Sequence, residues 1–182
     1  FITNTPKENW SHTDIVSPLL SALGNIPIAF ETDVNAAAWG ERKWGAARNL
    51  DDFIYITVGT GIGGGAVSGG KLLHGEGHPE MGHLRIPHDT IQDPFLGSCP
   101  FHGDCLEGLA SGTAMSKRWG CNPSELEEPH QAWDLEATYL ADALANLTLT
   151  LCPARFILGG GVMEQAHLFD KIRRKLSQRL AG

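Results

Sequence analysis

Two short apolar strands, each running straight into a cluster of glycines, constrain this chain more than any other feature. Phe53-Ile54-Tyr55-Ile56-Thr57-Val58 is rich in β-branched and aromatic residues and passes directly into Gly59-Thr60-Gly61-Ile62-Gly63-Gly64-Gly65. Phe156-Ile157-Leu158 does the same on a smaller scale and ends at Gly159-Gly160-Gly161. Clustered glycine brings backbone close to a ligand or turns the chain tightly. With Ala66-Val67 as a returning strand, the first segment predicts a hairpin whose turn carries the glycines. Alone, such a hairpin is more often a tight turn than a ligand site. The second cluster also follows a strand and precedes a helix, and ligands of α/β proteins bind outside the carboxyl ends of strands. Together the two loops point to a nucleotide. The first loop is not a P-loop, because no Lys-Ser or Lys-Thr pair follows, and it does not meet the dinucleotide fingerprint.

The remaining pattern alternates helices with strands, which indicates an α/β protein. A polar, irregular start containing Pro6 and Pro18 leads to a short helix ending near Gly24, and Ile26-Pro27-Ile28-Ala29-Phe30 reads as a short buried strand. Asp33 precedes an Ala-rich helix running from Val34 towards Trp44. Leu140, Leu144, Leu147 and Leu151 mark a long buried helix between Trp133 and Leu151. Leu168, Ile172, Leu176 and Leu180 mark an amphipathic helix with basic residues on its other face. There is no internal repeat. A length of 182 residues fits one large domain or most of a two-lobed enzyme.

The formal charge of −7, with no basic run, argues against a nucleic-acid partner. No stretch approaches the roughly 18 consecutive apolar residues of a membrane span. The chain opens Phe1-Ile2-Thr3-Asn4 without a signal peptide, and is expected to begin in mid-protein. Cys99, Cys105, Cys121 and Cys152 are too widely spread for a small disulfide scaffold, so a reducing, cytoplasmic setting is expected. Cys121 and Cys152 have no assigned role and are expected to be buried free thiols.

Residues 72–108 are dense in His, Gly, Pro and Cys and lack periodicity, as in a segment tied down by something other than secondary structure. Cys99-Pro100-Phe101-His102-Gly103-Asp104-Cys105 sets two soft thiolates and an imidazole at three-residue spacing, which favours zinc. The bland alternative is a pair of free cysteines flanking a surface histidine. A tetrahedral site needs a fourth ligand, and His74, His78, His83 and His88 are all candidates by spacing. Asp33 is either a helix N-cap or an acid–base group; local sequence does not single it out from Asp89, Asp93 or Asp104.

Five motifs then stand in a familiar order. Glu31-Thr32-Asp33-Val34-Asn35-Ala36-Ala37-Ala38-Trp39-Gly40-Glu41 resembles the sugar-site segment of the ROK family, named for repressors, open reading frames and kinases. Gly59 to Gly63 resembles its second phosphate loop, and His78-Pro79-Glu80-Met81-Gly82-His83 its sugar- and metal-contacting segment. Cys99-x-x-His102-x-x-Cys105-x-Glu107 resembles its zinc module, and Ile157-Leu158-Gly159-Gly160-Gly161-Val162 its adenosine segment. The resemblance covers nearly the whole chain.

It implies an actin-like ATPase fold of the sugar kinase, Hsp70 and actin type. Residues 1–182 would form the larger part of the two-lobed kinase, with the zinc module at 78–107 and the adenosine segment at 157–163. Asp33 would be the catalytic base, and Asn35, Glu80, His83 and Glu107 would bind the sugar. Thr60, Gly61, Gly160, Gly161, Val162 and Met163 would bind ATP, with magnesium bridging its phosphates. His83 would join Cys99, His102 and Cys105 on a structural zinc, His78 being the alternative fourth ligand.

His102 in the metal loop, and Thr32 where glucose-type members carry Asn, look like the bacterial fructokinase branch, so fructose is expected, with mannose possible. A homodimer is implied as well. The family's first phosphate loop, of Asp-x-Gly-Gly-Thr type, and its last helix have no counterpart in the sequence, so an N-terminal lobe and a C-terminal tail are expected to lie outside it. A sugar-responsive repressor of the same family, or a non-catalytic zinc- and sugar-binding module, are the competing readings.

Overall fold

The computed structural model describes residues 9–24, 26–28 and 30–181. The chain divides into two units, Phe1–Glu31 and Thr32–Gly182. In the first, helix α1 (Val16–Leu23) is started by Asp14, whose Oδ1 accepts the Val16 and Ser17 N–H groups, and stops at Gly24, at φ 70°. The reading of residues 1–8 and of Ala29 lies outside the described residues. Among the described residues, Ile26, Pro27, Ile28 and Phe30 pair with no strand, correcting the expectation for that segment. Pro27 has no N–H to give a ladder.

The second unit is built on a four-stranded sheet in the order β3-β2-β1-β4, from β1 (Phe53–Val58), β2 (Ile62–Ser68), β3 (Lys71–Leu72) and β4 (Arg155–Gly159). β1 is central, antiparallel to β2 from Phe53↔Val67 to Val58↔Ile62 and parallel to β4 from Phe53↔Arg155 to Thr57↔Gly159. Because side chains alternate across a strand, Ile54, Ile56 and Val58 enter one core and Phe53 and Tyr55 another. Helix α2 (Asp33–Trp44) covers the second face through Ala38 and Trp39. The first face is covered by α3 (Leu106–Ala110), α5 (Ala132–Leu151) and α6 (Ala166–Arg179).

The two long helices match their periodicity. Trp133, Ala137, Leu140 and Leu144 of α5 are buried, as are Leu168 and Ile172 of α6. The basic face of α6 pairs with acids of α5: Lys175 with Asp134 at 3.0 Å, Lys171 with Asp134 at 3.9 Å, and Arg179 with Asp142.

The glycine-rich turn is shorter than predicted. Only Gly59–Gly61 turn, and Ile62 to Gly65 already pair in β2. Those glycines serve packing. A Cβ on Gly65 would stand 2.4 Å from the Val34 carbonyl of α2. One on Gly82, in the 3₁₀ turn Met81–His83, would stand 1.8 Å from the Ile62 carbonyl. So α2 and the 78–83 segment both come to backbone distance of β2. The expectation of buried spare thiols is also corrected, since Cys121 is half-buried and Cys152 exposed. Cys152 caps α5 in the left-handed region at φ 47°, where the chain leaves the helix.

Candidate active site and metal cluster

The local structure at Asp33 departs from the N-cap reading. Thr32 is the N-cap of α2, its side chain accepting the Asn35 N–H at 3.3 Å. That releases Asp33 from capping to the first helical position, where it is exposed and its Oδ1 accepts the Val34 N–H at 3.0 Å. The rival aspartates are occupied. Asp89 closes a turn through the Ile91 and Gln92 N–H groups. Asp93 is 4% exposed, ion-paired to Arg118 at 3.1 Å and bonded by the Tyr139 hydroxyl at 2.5 Å. Burial, with Asp93 adding, pushes the Tyr139 hydroxyl well above its ordinary range. Asp104 is held below the usual carboxylate range, first by its bond to His88 and then by Arg85.

The sugar-site candidates gather around the first half of β2. Asn35, fully buried, sets its Nδ2 3.4 Å from His78 Nδ1, which ties the first turn of α2 to the 78–83 segment. Glu80 is exposed at the head of the 3₁₀ turn, with His83 at its end. Glu107, in the first turn of α3, accepts the Ile62 N–H at 3.0 Å through Oε2.

His83, Cys99, His102 and Cys105 bring one ligand atom each to within 4.8 Å of one another. His83 Nδ1 is 3.5 Å from Cys105 Sγ and 3.7 Å from Cys99 Sγ, and Cys99 Sγ is 3.8 Å from His102 Nδ1. Ligand atoms at the corners of a tetrahedron around zinc lie about 3.4–3.8 Å apart, so the donor set and its spacing fit such an ion. Burial, with the neighbouring Cys99 adding, pushes the Cys105 thiol up to about 11. Thiolates here therefore call for a cation. The loop is pre-shaped by reciprocal bonds between Cys99 and Gly103, at 3.2 and 3.0 Å, with Gly103 at φ 65°. The other histidines stand elsewhere: His88 between Asp93 and Asp104, His78 beside Asn35, and His74 exposed.

Because β1 and β4 are parallel neighbours, the loops that follow them open at one end of the sheet. A cleft of about 590 Å³ lies there, lined by Gly59 and Thr60 from the first loop and Gly161 and Val162 from the second. Gly61, Gly160 and Met163 belong to the same loops; Met163 is buried behind the surface and Gly160 is at φ 94°. Sequence reasoning missed the third wall: Gly112, Thr113, Ser116 and Lys117 of α4 (Gly112–Trp119), then Asn122 to Ser124, with Glu164 opposite. The signal available was Ser111-Gly112-Thr113, a helix N-cap followed by small residues; Ser111 does accept the Ala114 N–H at 3.1 Å.

A family model described as the ROK family matches residues 1–182. The chain is 46% identical over 181 residues to the fructokinase of Zymomonas mobilis subsp. mobilis, covering 98% of this chain and 60% of that protein. It is 46% identical over 175 residues to the fructokinase of Lactococcus lactis subsp. cremoris, covering 96% and 59%. A solved ROK family glucokinase from Streptomyces griseus, in complex with glucose and AMPPNP, matches with a TM-score of 0.78 and 29% identity, over 99% of this chain and 67% of that one. The chain thus spans about 60% of the length of the curated relatives it matches. Its α/β fold is that of the actin-like sugar kinases, as the motif order implies. The chain belongs to the ROK family.

Proposed function

We propose that the protein carrying this chain is an ATP-dependent hexose kinase that converts D-fructose to fructose 6-phosphate, with mannose as a second acceptor. The observation that carries this reading is the meeting of three segments on the first half of β2. These are the Asp33 turn, the 78–83 turn and Glu107, beside a cleft floored by two glycine loops. Fructose is favoured because identity stands at 46% with two fructokinases and at 29% with a glucokinase. His102 in the metal loop points the same way.

In this reading Asp33 takes the proton of the sugar hydroxyl as its oxygen bonds to the γ-phosphorus, and the bond from that phosphorus to the bridging oxygen of ADP breaks. Asn35, Glu80, His83 and Glu107 orient the remaining hydroxyls. The Thr60 and Gly61 backbone holds the phosphates, and Gly160, Gly161, Val162 and Met163 border the adenosine. Magnesium carried with ATP supplies charge neutralisation on the phosphate oxygens. His83, Cys99, His102 and Cys105 would hold zinc, which would close the loop leading to Glu107, and His83 would link that metal to the sugar. The protein is read as a cytoplasmic homodimer; no helix among the described residues is long and apolar enough to cross a membrane.

The test is ATP consumption by the full-length protein with fructose, mannose and glucose in parallel. Fructose is expected to give the highest kcat/KM. Turnover of glucose alone would keep the kinase and discard the substrate; no turnover in folded, metal-loaded protein would favour a repressor or binding module.

A further inference from the structure

The turn Gly59–Gly61 is gripped by the elbow between α3 and α4. The Gly112 N–H donates to the Gly59 carbonyl at 2.7 Å, and the Thr113 hydroxyl donates to the Thr60 carbonyl at 2.8 Å. The Thr113 N–H lies farther from that same oxygen, at 3.4 Å, so the side chain makes the shorter bond. The Gly61 carbonyl is taken by the Gly59 N–H at 2.9 Å. All three carbonyls of the turn are thereby committed to donors of the protein. A carbonyl oxygen facing a phosphate would repel it, whereas backbone N–H groups attract it. Holding the carbonyls leaves the amide side of the turn for the anion.

Thr60 is the exposed member of the turn, and its carbonyl takes its shorter bond from the Thr113 hydroxyl, with the Thr113 N–H as the longer second donor. We infer that Thr113 is a positioning residue for phosphoryl transfer: its hydroxyl holds the Thr60 carbonyl on α4 and so fixes the polarity of the phosphate loop. This role rests on the kinase reading of the cleft. It makes Thr113 act through Thr60, and it gives the start of α4 a function beyond lining the nucleotide cleft.

The experiment compares full-length wild type, Thr113→Val and Thr113→Ser. Valine keeps the shape and loses the donor; serine keeps the donor. Valine is expected to lower kcat/KM for ATP by about five- to ten-fold, the worth of one neutral hydrogen bond. KM for fructose should stay within about two-fold and the melting temperature within a few degrees, because one exposed-loop bond contributes little to global stability. Serine is expected to restore the ATP constants. A Thr113→Ala variant repeats the measurement if valine does not fold. Unchanged ATP constants in valine or alanine, equal shifts in the ATP and fructose constants, or failure of serine to restore them would overturn the role of Thr113 alone. Absence of wild-type turnover with any hexose would overturn the kinase reading and this role together.

Discussion

Glu107 Oε2 accepts the Ile62 N–H at 3.0 Å, so a carboxylate two residues beyond Cys105 is bonded directly to the strand that leaves the glycine turn. A Cβ on Gly61 would stand 2.6 Å from the same oxygen. A residue assigned to the sugar therefore also buttresses the loop assigned to the phosphates. One side chain can then couple the two substrates.

Glu107→Gln keeps the shape and an accepting oxygen but removes the charge. Hydrogen bonds to charged groups contribute about 1.5–3 kcal/mol, which converts to about a 10- to 100-fold loss in kcat/KM for fructose. KM for ATP is expected to rise as well. Steady-state kinetics with each substrate varied checks both, and an unchanged ATP constant would count against the coupling.

Asp33→Asn is expected to lower kcat by about 100-fold or more, the usual contribution of a positioned base. Thr32 remains the cap of α2, so stability and metal content should hold. Activity near wild type would remove Asp33 from the proton transfer.

The parts of the fold legible in the sequence were those with strong periodicity or a ligand-like residue set. The burial of Leu140 and Leu144, and of Leu168 and Ile172, follows from their spacing along one helix face. The strand at 26–30 failed because an apolar run containing a proline cannot report whether a neighbour exists to pair with. Gly63 to Gly65 were read as a turn because glycine has no β-propensity; their role in the strand depends on α2 and Met81 arriving from elsewhere in the chain. Spacing left four histidines open beside Cys99, His102 and Cys105. The structure brings His83 to them and holds His88 between two aspartates. Thr113 and Lys117 carry no motif, and their places beside the cleft arise from the turn at Ser111 between two short helices.

Cys99→Ser should release the metal. Structural zinc can contribute on the order of 10 kcal/mol to a site that forms only around it. Elemental analysis is expected to give about one zinc per chain in the wild type and much less in the variant, with a lower melting temperature. Equal metal content in the two proteins would discard the ligand set of His83, Cys99, His102 and Cys105.

Glu136 of α5 is 1% exposed, and neither of its carboxyl oxygens has a hydrogen-bond partner among the described residues. Burial raises its pKa well above the ordinary 4.5, with Arg118 opposing the shift. The folded chain therefore holds a neutral acid, while the unfolded chain ionises above that ordinary value. Stability is complete below pH 4.5 and declines as pH rises towards the folded pKa, by about 1.4 kcal/mol per pH unit from this group. Glu136→Gln has the same shape and no proton to lose. Its melting temperature relative to wild type is expected to climb as pH is raised above 5, whatever its offset at pH 5. A constant difference as pH is raised would mean that Glu136 ionises alike in the folded and unfolded chain.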